Sequence, residues 1–528
     1  MLTLQNLSYL HSNKDLLFDN LNLTVKSRDK MGLIGNNGVG KSTLFKIISG
    51  ELTPSSGGLT ATAEPYYIPQ IFGQYNHLSI AEALRVSDKM EALSEIVKGN
   101  VTEQNLNLLA EDWTVEERSR EALDSWQLPY TDLSQKMGTL SGGQKTRVFL
   151  AGISIHRPEI VLLDEPSNHL DGRGRKLLYD FVRSFSSTLM VVSHDRKLLN
   201  LMDFIGELGR MGITVYGGNY DFYAAQKQIE INALDEDLKE KNRALHKARE
   251  KERETLERQR RSDARGKRKQ QKAGLPTISM NTFKNNAEKS TAKVKDVHRE
   301  KIAGLSEEMR ELRSRLAGID KMKLDFDNST LHKGKILFSA QDINFGYNDQ
   351  MLWRAHLSFL VTSGERIWLK GLNGSGKTSL IKIILGRLEP KIGSVYRADN
   401  QSVYIDQDYS LIENRLTVFE QALKFNVTGL QEHEIKIRLN RFLFLPEDWD
   451  KSCKRLSGGE KMRLMLCCLT IAHCSADIIV LDEPTNNLDI QNIEILTAAI
   501  REYQGTLVVV SHDEYFLEEI GVTRVISL

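Results

Sequence analysis

Two lysines stand at the end of glycine-rich runs of the same design. Lys41 closes Gly35, Asn36, Asn37, Gly38, Val39 and Gly40 and is followed by Ser42 and Thr43. Lys377 closes Gly371, Leu372, Asn373, Gly374, Ser375 and Gly376 and is followed by Thr378 and Ser379. A short apolar segment precedes each run (31–34 and 366–369), and a helical pattern follows (43–48 and 379–385). In that context the glycines let successive backbone N–H groups turn inward and cradle phosphates at a helix N-terminus. The lysines then reach the β- and γ-phosphates of ATP, and the Ser42 and Thr378 hydroxyls are offered to Mg²⁺. Two apolar runs, 160–163 and 478–481, end in Asp164-Glu165-Pro and Asp482-Glu483-Pro. The aspartates suit the Mg²⁺ shell, and Glu165 and Glu483 are candidates to polarise the attacking water. His194 and His512 follow a further apolar strand and are placed to meet the γ-phosphate. Phosphoryl transfer asks mainly for positioning and charge neutralisation, which this set supplies. Ser141-Gly142-Gly143 and Ser457-Gly458-Gly459 each head a long helical pattern and make a second phosphate cradle.

These elements occur twice in the same order, so the elements that position them form a repeat. Lys377 follows Lys41 by 336 residues, and His512 follows His194 by 318. The offset drops between Gln70 and Ser141, which leaves about 21 extra residues in the first copy. The segment 79–126 is polar and helical in pattern and reads as an enlarged helical subdomain or short arm, with ordinary loop variation as the alternative. A chain of 528 residues exceeds what one core supports, so three or four domains are expected. All four cysteines (453, 467, 468, 474) fall in the second copy, at spacings that fit neither zinc nor a disulfide framework. The three in the apolar run 464–474 read as small buried thiols, and the set implies a reducing cytoplasm. No basic-then-apolar leader opens the sequence, and its longest apolar run, about eleven residues, is far below the ~20 needed to span a bilayer.

Between the copies, residues 222–261 are rich in Glu, Lys, Arg, Ala and Gln and lack Gly and Pro, which favours helix. Ile231, Leu238 and Leu245 recur every seven residues, with Leu234 and Ala248 as the partner series. Ile302, Leu305, Met309, Leu312, Leu316 and Ile319 alternate by three and four. Two such seams predict an antiparallel coiled-coil hairpin. Its tip, 258–296, carries twelve Lys or Arg against three acids, within a chain of net charge +1. Gly274 and Pro276 break the helix there, so a loop is expected. A solvated helix end is the plain reading of the charge. Its concentration in one place favours nucleic-acid contact, through Arg265, Lys267, Arg268, Lys269 and Lys272. Phe283 is the one aromatic of the tip, which points to phosphate and shape contacts over base stacking.

The doubled motif set resembles the ATP-binding cassette superfamily. Two fused cassettes without a membrane segment, a basic helical linker, Pro-Ser-Asn-His-Leu-Asp at 166–171 and Gly-Gly-Asn-Tyr at 217–220 resemble its ABC-F group of translation factors over nearly the whole chain. That resemblance implies head-to-tail cassettes. Ser457 and Gly459 then complete the ATP site of Lys41, and Ser141 and Gly143 that of Lys377. It also implies that Gln70 and Gln407 sense Mg²⁺ and water. Tyr9 and Phe345 then lie against adenine, with Tyr347 a rival, and Asp171 and Asp489 communicate across the pair. Asn487 departs from the histidine usual at its position. The group's linker enters the ribosome and contacts tRNA and rRNA near the peptidyl-transferase centre. Long tips occur in housekeeping members and in those that protect ribosomes from antibiotics, so both roles stay open.

The expected fold class is α/β: two fused P-loop ABC ATPase domains (1–221 and 332–528) joined by a long antiparallel α-helical hairpin linker (222–331). The expected function is that of a cytoplasmic, ATP- and Mg²⁺-dependent ATPase that binds ribosomes as a monomer with its cassettes paired, without a membrane subunit. The alternatives are a DNA-binding ATPase and the ATPase subunit of a transporter. The transporter reading leaves the basic linker without a use.

Overall fold

The computed structural model describes residues 1–11, 15–70, 73–128, 132–209, 212–273, 296, 299–310, 312, 331–348, 350–472 and 476–528; for 259, 263 and 266–273 it describes the backbone alone. The chain divides into two compact units. One holds Met1–Tyr223 with Met322–Leu528, and the other holds Ala224–Lys321.

In the first unit each cassette pairs an antiparallel sheet with a largely parallel one. The first parallel sheet runs Tyr66–Ile68, Ile160–Asp164, Thr188–Val192, Lys30–Ile34, Phe204–Gly209, and closes with the antiparallel Gly212–Tyr216. The second runs Ser402–Ile405, Ile478–Asp482, Thr506–Val510, Arg366–Lys370, Arg524–Ser527, parallel throughout. Ile160–Asp164, Thr188–Val192, Ile478–Asp482 and Thr506–Val510 are buried at every residue. That is why they read as unbroken apolar runs: a parallel strand covered on both faces has no solvent side to mark by alternation. The strand order has a functional consequence. In each sheet the strand ending in Asp164 or Asp482, the strand preceding His194 or His512 and the strand feeding the glycine-rich run are immediate neighbours. Their carboxyl ends therefore deliver the phosphate loop, the acids and the histidine to one edge, where open α/β sheets place their ligands.

The antiparallel sheets (Leu16–Val25, Leu2–Leu10, Ser56–Ala61 and Leu357–Thr362, Ile336–Asn344, Ile392–Arg397) cover the helices Lys41–Ile48 and Lys377–Ile384. The helical region differs between the copies. Isolated bridges pair Ser79 with Lys136 and Thr417 with Ser452. Between the first pair lie Ile80–Ala83, Ser87–Val97, Glu103–Leu109 and Val115–Ser125, whereas the second encloses the α-helices Val418–Lys424 and Glu432–Arg441. Cys453, Cys467 and Cys468 are buried, and burial pushes their thiols up, Cys453 to about 11. Cys474 lies outside the described residues. Among the described residues no helix is long and apolar enough to cross a membrane.

One helix, Tyr220–Ala273, runs from the first unit into the second, about 80 Å at 1.5 Å per residue. It continues through Gly266 to the residue before Gly274, so positions 258–273 of the basic stretch are helical where a loop is expected; one glycine costs about 1 kcal/mol within a helix and does not end it. In the second unit Leu245, Ala248 and Met309 are buried and Ile231, Leu234, Leu238, Ile302, Leu305 and Leu312 are half-buried, so the seven-residue series faces inward. Lys241 pairs with Glu308, which joins the long helix to the helical residues 299–310. Gly274, Pro276, Phe283, Leu316 and Ile319 lie outside the described residues.

Candidate active sites

The glycine-rich loops demand glycine at specific points. Gly40 and Gly376 N-cap the phosphate-loop helices at φ +104° and +90°. A Cβ there would meet the Leu17 side chain at 2.7 Å in the first cassette and Trp353 Nε1 at 2.9 Å in the second. Only glycine tolerates both the angle and the contact. Trp353 stands where Leu17 does in the repeat, and its Nε1 donates to Ser375 O at 3.0 Å, bracing the second loop. Within each loop the lysine folds back. Lys41 Nζ donates to Gly35 O (2.6 Å) and Asn36 O (3.3 Å), and Lys377 Nζ to Gly371 O (2.8 Å) and Leu372 O (3.1 Å). Burial lowers both ammonium pKa values, while the neighbouring carboxylates pull them back up.

The acids that follow the strands carry a backbone feature that spacing does not reveal. Glu165 and Glu483 both adopt left-handed backbone, φ 51° and 50°. Consecutive side chains of a strand point to opposite faces; the positive φ breaks that alternation, so Asp164 and Glu165 line one cleft and Asp482 and Glu483 the other. Such a conformation costs on the order of 1–3 kcal/mol for a residue with a side chain. It is held by Glu165 N donating to Val192 O (2.9 Å) and Glu483 N to Val510 O (2.8 Å). His194 Nε2 lies 3.4 Å from Glu165 Oε1, and His512 Nε2 lies 3.2 Å from Glu483 Oε1. Burial pushes the Glu165 carboxyl up to about 8 and that of Glu483 to about 7. The same burial holds His194 well below its ordinary range and His512 at about 4. Among the described residues, Asp164 Oδ1, one oxygen of Glu165 and of Glu483, and one ring nitrogen of each histidine are buried without a hydrogen-bond partner. Five orphaned polar atoms at two matching places are the signature of sites shaped for a polar ligand.

The two clefts, about 680 and 620 Å³, are composite. The first holds Asn37, Gly38, Gly40, Lys41, Ser42, Thr43, Gln70, Asp164, Glu165 and His194 together with Ser457 and Gly458 of the other cassette. The second holds Leu372, Asn373, Gly374, Gly376, Lys377, Thr378, Ser379, Gln407, Asp482, Glu483 and His512 together with Ser141, Gly142 and Gly143. Ser141 and Ser457 cap their helices through reciprocal bonds with Gln144 and Glu460, so each points a free helix N-terminus into the opposite cleft. Asn37 N donates to Asp489 Oδ2 (2.9 Å), and Asn373 Nδ2 to His169 O (3.3 Å), tying each phosphate loop to the other cassette.

Several expected positions differ. Gly459 does not line the first cleft; its Cα faces the Asn492 side chain, and Gly458 takes its place. Phe345 is in the core, 8% exposed, while Tyr347, 55% exposed, lines the second cleft with its hydroxyl 3.2 Å from Ser379 Oγ. In the first cleft His11 occupies the corresponding place, and Tyr9 stands behind it in edge-on ring contact at 5.7 Å. Tyr9 packs against the core of the first cassette and Phe345 lies within that of the second. Gly35, Asn36, Val39, Gly371 and Ser375 belong to the loops without lining the clefts.

Residues 18–168 and 355–486 match the family model described as ABC transporter. The ATP-binding protein YdiF of Bacillus subtilis is 31% identical over 97% of this chain and 78% of its own length. The ABC transporter F family member 5 of Arabidopsis thaliana is 30% identical over 96% of this chain and 71% of its own. The chain belongs to the ABC-F family. It is an ATPase, and its tandem-cassette fold is shared with the crystal structure of the complex of archaeal ribosomal stalk protein aP1 and archaeal ribosome recycling factor aABCE1 (TM-score 0.60, 19% identity, 99% of this chain and 87% of that chain). The oxygen-rich donor set of this ABC-F chain fits Mg²⁺. Thr378 Oγ1 donates to Asp482 Oδ2 at 3.1 Å, Asp164 keeps a free buried oxygen, and each glutamine lines its own cleft. No cluster of three His, Cys, Asp or Glu that could hold a metal alone occurs among the described residues.

Proposed function

We propose that ATP bound in both clefts holds the cassettes together, that the closed chain binds ribosomes, and that hydrolysis releases it. The observation that carries this reading is the composite cleft: each ATP would be enclosed by the phosphate loop of one cassette and the Ser-Gly-Gly helix of the other. Lys41 and Lys377 neutralise phosphate charge from their own loops. Ser141 and Ser457 present helix N-termini, whose partial positive charge favours the γ-phosphate. Glu165 and Glu483, buried beside His194 and His512, hold and return the proton of the attacking water; a base works best with a pKa near the operating pH. Ser42, Asp164 and Gln70 would hold Mg²⁺ in the first site, and Thr378, Asp482 and Gln407 in the second; when bound, the ion spreads the charge that develops on the phosphates. Two things support ribosomes as the partner: the ABC-F relatives, and the ribosomal stalk protein in the complex with a tandem-cassette fold. The basic stretch with Arg265, Lys267, Arg268, Lys269 and Lys272 suits rRNA and tRNA, and such a factor works in the cytoplasm. A differential affinity of closed and open forms is what lets ATP control the association.

The test is gradient sedimentation of the Glu165→Gln, Glu483→Gln chain with ribosomes. Co-sedimentation with ATP and not with ADP is expected. Absence from the ribosomal fractions in both states would remove the ribosome from the reading, and nuclease-sensitive association with DNA would favour a DNA-binding ATPase.

The adenine contact has its own test. Tyr347→Ala should weaken nucleotide binding at the second cleft roughly tenfold, the worth of a base–aromatic stack, and leave the melting temperature nearly unchanged. Phe345→Ala should cost about 3–5 kcal/mol of stability through cavity formation. Titration with a fluorescent ATP analogue and thermal melting separate the two; the reverse pattern would return Phe345 to the adenine.

A further inference from the structure

Arg175 lies four residues beyond Asp171 on the helix Gly172–Ser184, and its side chain is 12% exposed. Its Nε donates to Leu170 O at 3.2 Å, which fixes the guanidinium against its own cassette. Its Nη1 then reaches two loops at once. It lies 3.4 Å from Asp195 Oδ2, next to His194 of the first site, and 3.5 Å from His512 O in the other cassette. Asp195 is itself fixed, since Oδ2 accepts Tyr179 OH at 2.7 Å and Oδ1 accepts Leu198 N at 3.2 Å. On the far side, the His512 imidazole lies beside Glu483. A cavity of about 30 Å³ between the cassettes is bounded by Arg175, Glu165, His194 and Asp195 on one side and by Asn487 and Asp513 on the other. The acids facing Arg175 are Asp195, Glu483 and Asp513.

The repeat makes this link one-sided. The residues 318 positions further on are Ile493 and Thr497, where the first copy has Arg175 and Tyr179. Ile493 is buried, and Thr497 Oγ1 donates to its own helix at Ile493 O (2.7 Å). Ile493 borders the same small cavity as His194 and Asp195, but its side chain has no hydrogen-bonding group to offer the His194 loop. A buried guanidinium is expensive unless its donors are used; here it is retained on one side only, where its donors span two histidine loops.

We propose that Arg175 is a positioning residue for the second ATP site, supplied by the first cassette: it holds the His512 loop in register with Glu483 and ties that register to the His194–Asp195 loop of the first site. Hydrolysis at the second site therefore depends on the state of the first more than the converse. The inference rests on the reading of Glu165 and Glu483 as the bases of the two sites.

The test uses the full chain in two backgrounds, each leaving one working site. With Glu165→Gln, only the second site turns over, and Arg175→Met should lower kcat about 10–100-fold, the scale of a misplaced reacting group, with KM for ATP within about twofold. Arg175→Lys, which keeps a charge able to reach a carbonyl, should recover much of that loss. With Glu483→Gln, only the first site turns over, and Arg175→Met should lower kcat several-fold less. Equal losses in both backgrounds, a change confined to KM, or a lysine variant no better than methionine would overturn the proposal. Melting curves check folding, and if the methionine variant does not fold, Arg175→Gln against Arg175→Lys is judged by the same criteria. Full activity in the Glu165→Gln, Glu483→Gln chain would instead show that the reading of the bases fails, a result distinct from failure of the Arg175 link.

Discussion

The chain carrying both Glu165→Gln and Glu483→Gln should hydrolyse ATP about 10²–10⁴-fold more slowly than the wild type, the usual contribution of a general base, and bind ATP as before. Glutamine keeps the size of the side chain and the left-handed backbone, so the cleft retains its shape. What it loses is the ability to take a proton. The residual rate reports what positioning by Lys41, Lys377 and the opposed helix N-termini achieves alone. Each single change should leave one site working, so its rate should fall far less than that of the double change. The two backbone angles, 51° and 50°, make the assignment symmetrical: the same uncommon conformation recurs at the same step of both copies, which is hard to maintain without a shared task. Steady-state phosphate release and equilibrium binding of labelled ATP check it. Wild-type turnover in the double variant would mean that the water is activated elsewhere.

The second large effect concerns the basic stretch. Changing Arg265, Lys267, Arg268 and Lys269 together to glutamine should weaken ribosome association on the order of 10²-fold at about 0.15 M salt. It should also lower the slope of log affinity against log salt by up to about 3.5, at ~0.7–0.9 for each phosphate that is no longer neutralised. Positions 265, 268, 269 and 272 recur at three- and four-residue steps on the helix that ends at Ala273, so they share one face. Glutamine is as good a helix former as lysine, so the helix should survive. ATPase activity without ribosomes should stay as it was. Sedimentation across a salt series reads the slope directly, and an unchanged slope would take this stretch out of the interface.

Much of the site is legible in the sequence because its chemistry depends on short fixed spacings. A phosphate loop, an acid pair and a histidine each close an apolar strand, and doubling the set in the same order makes coincidence untenable. The strand order that makes those three ends neighbours is not in the spacing, since it depends on parallel pairing across the whole cassette. The resemblance sets Phe345 against adenine with Tyr347 as a rival, and the sequence does not choose between them because an aromatic residue carries no sign of whether it is buried; Phe345 is in the core and Tyr347 is exposed on the cleft. The reversal at Glu165 and Glu483 is invisible because glutamate, unlike glycine, does not advertise a positive φ. Arg175 escapes notice for a different reason. Its partners lie 20 and 337 residues away, and a repeat displays what its copies share, whereas Arg175 is a place where they differ.

The bonds from Asn37 to Asp489 and from Asn373 to His169 join partners carried on one polypeptide. A pairing that two separate chains would have to reach by collision is here intramolecular. Tethering of this kind gives an effective concentration in the millimolar range where the connection can span the partners, far above that of most free proteins in a cell. Dilution therefore does not pull the cassettes apart, and the amount of protein present does not set how many clefts are complete. On the proposed reading, that leaves the supply of ATP, and the rate at which each cleft consumes it, as the variables that would time the opening of the molecule.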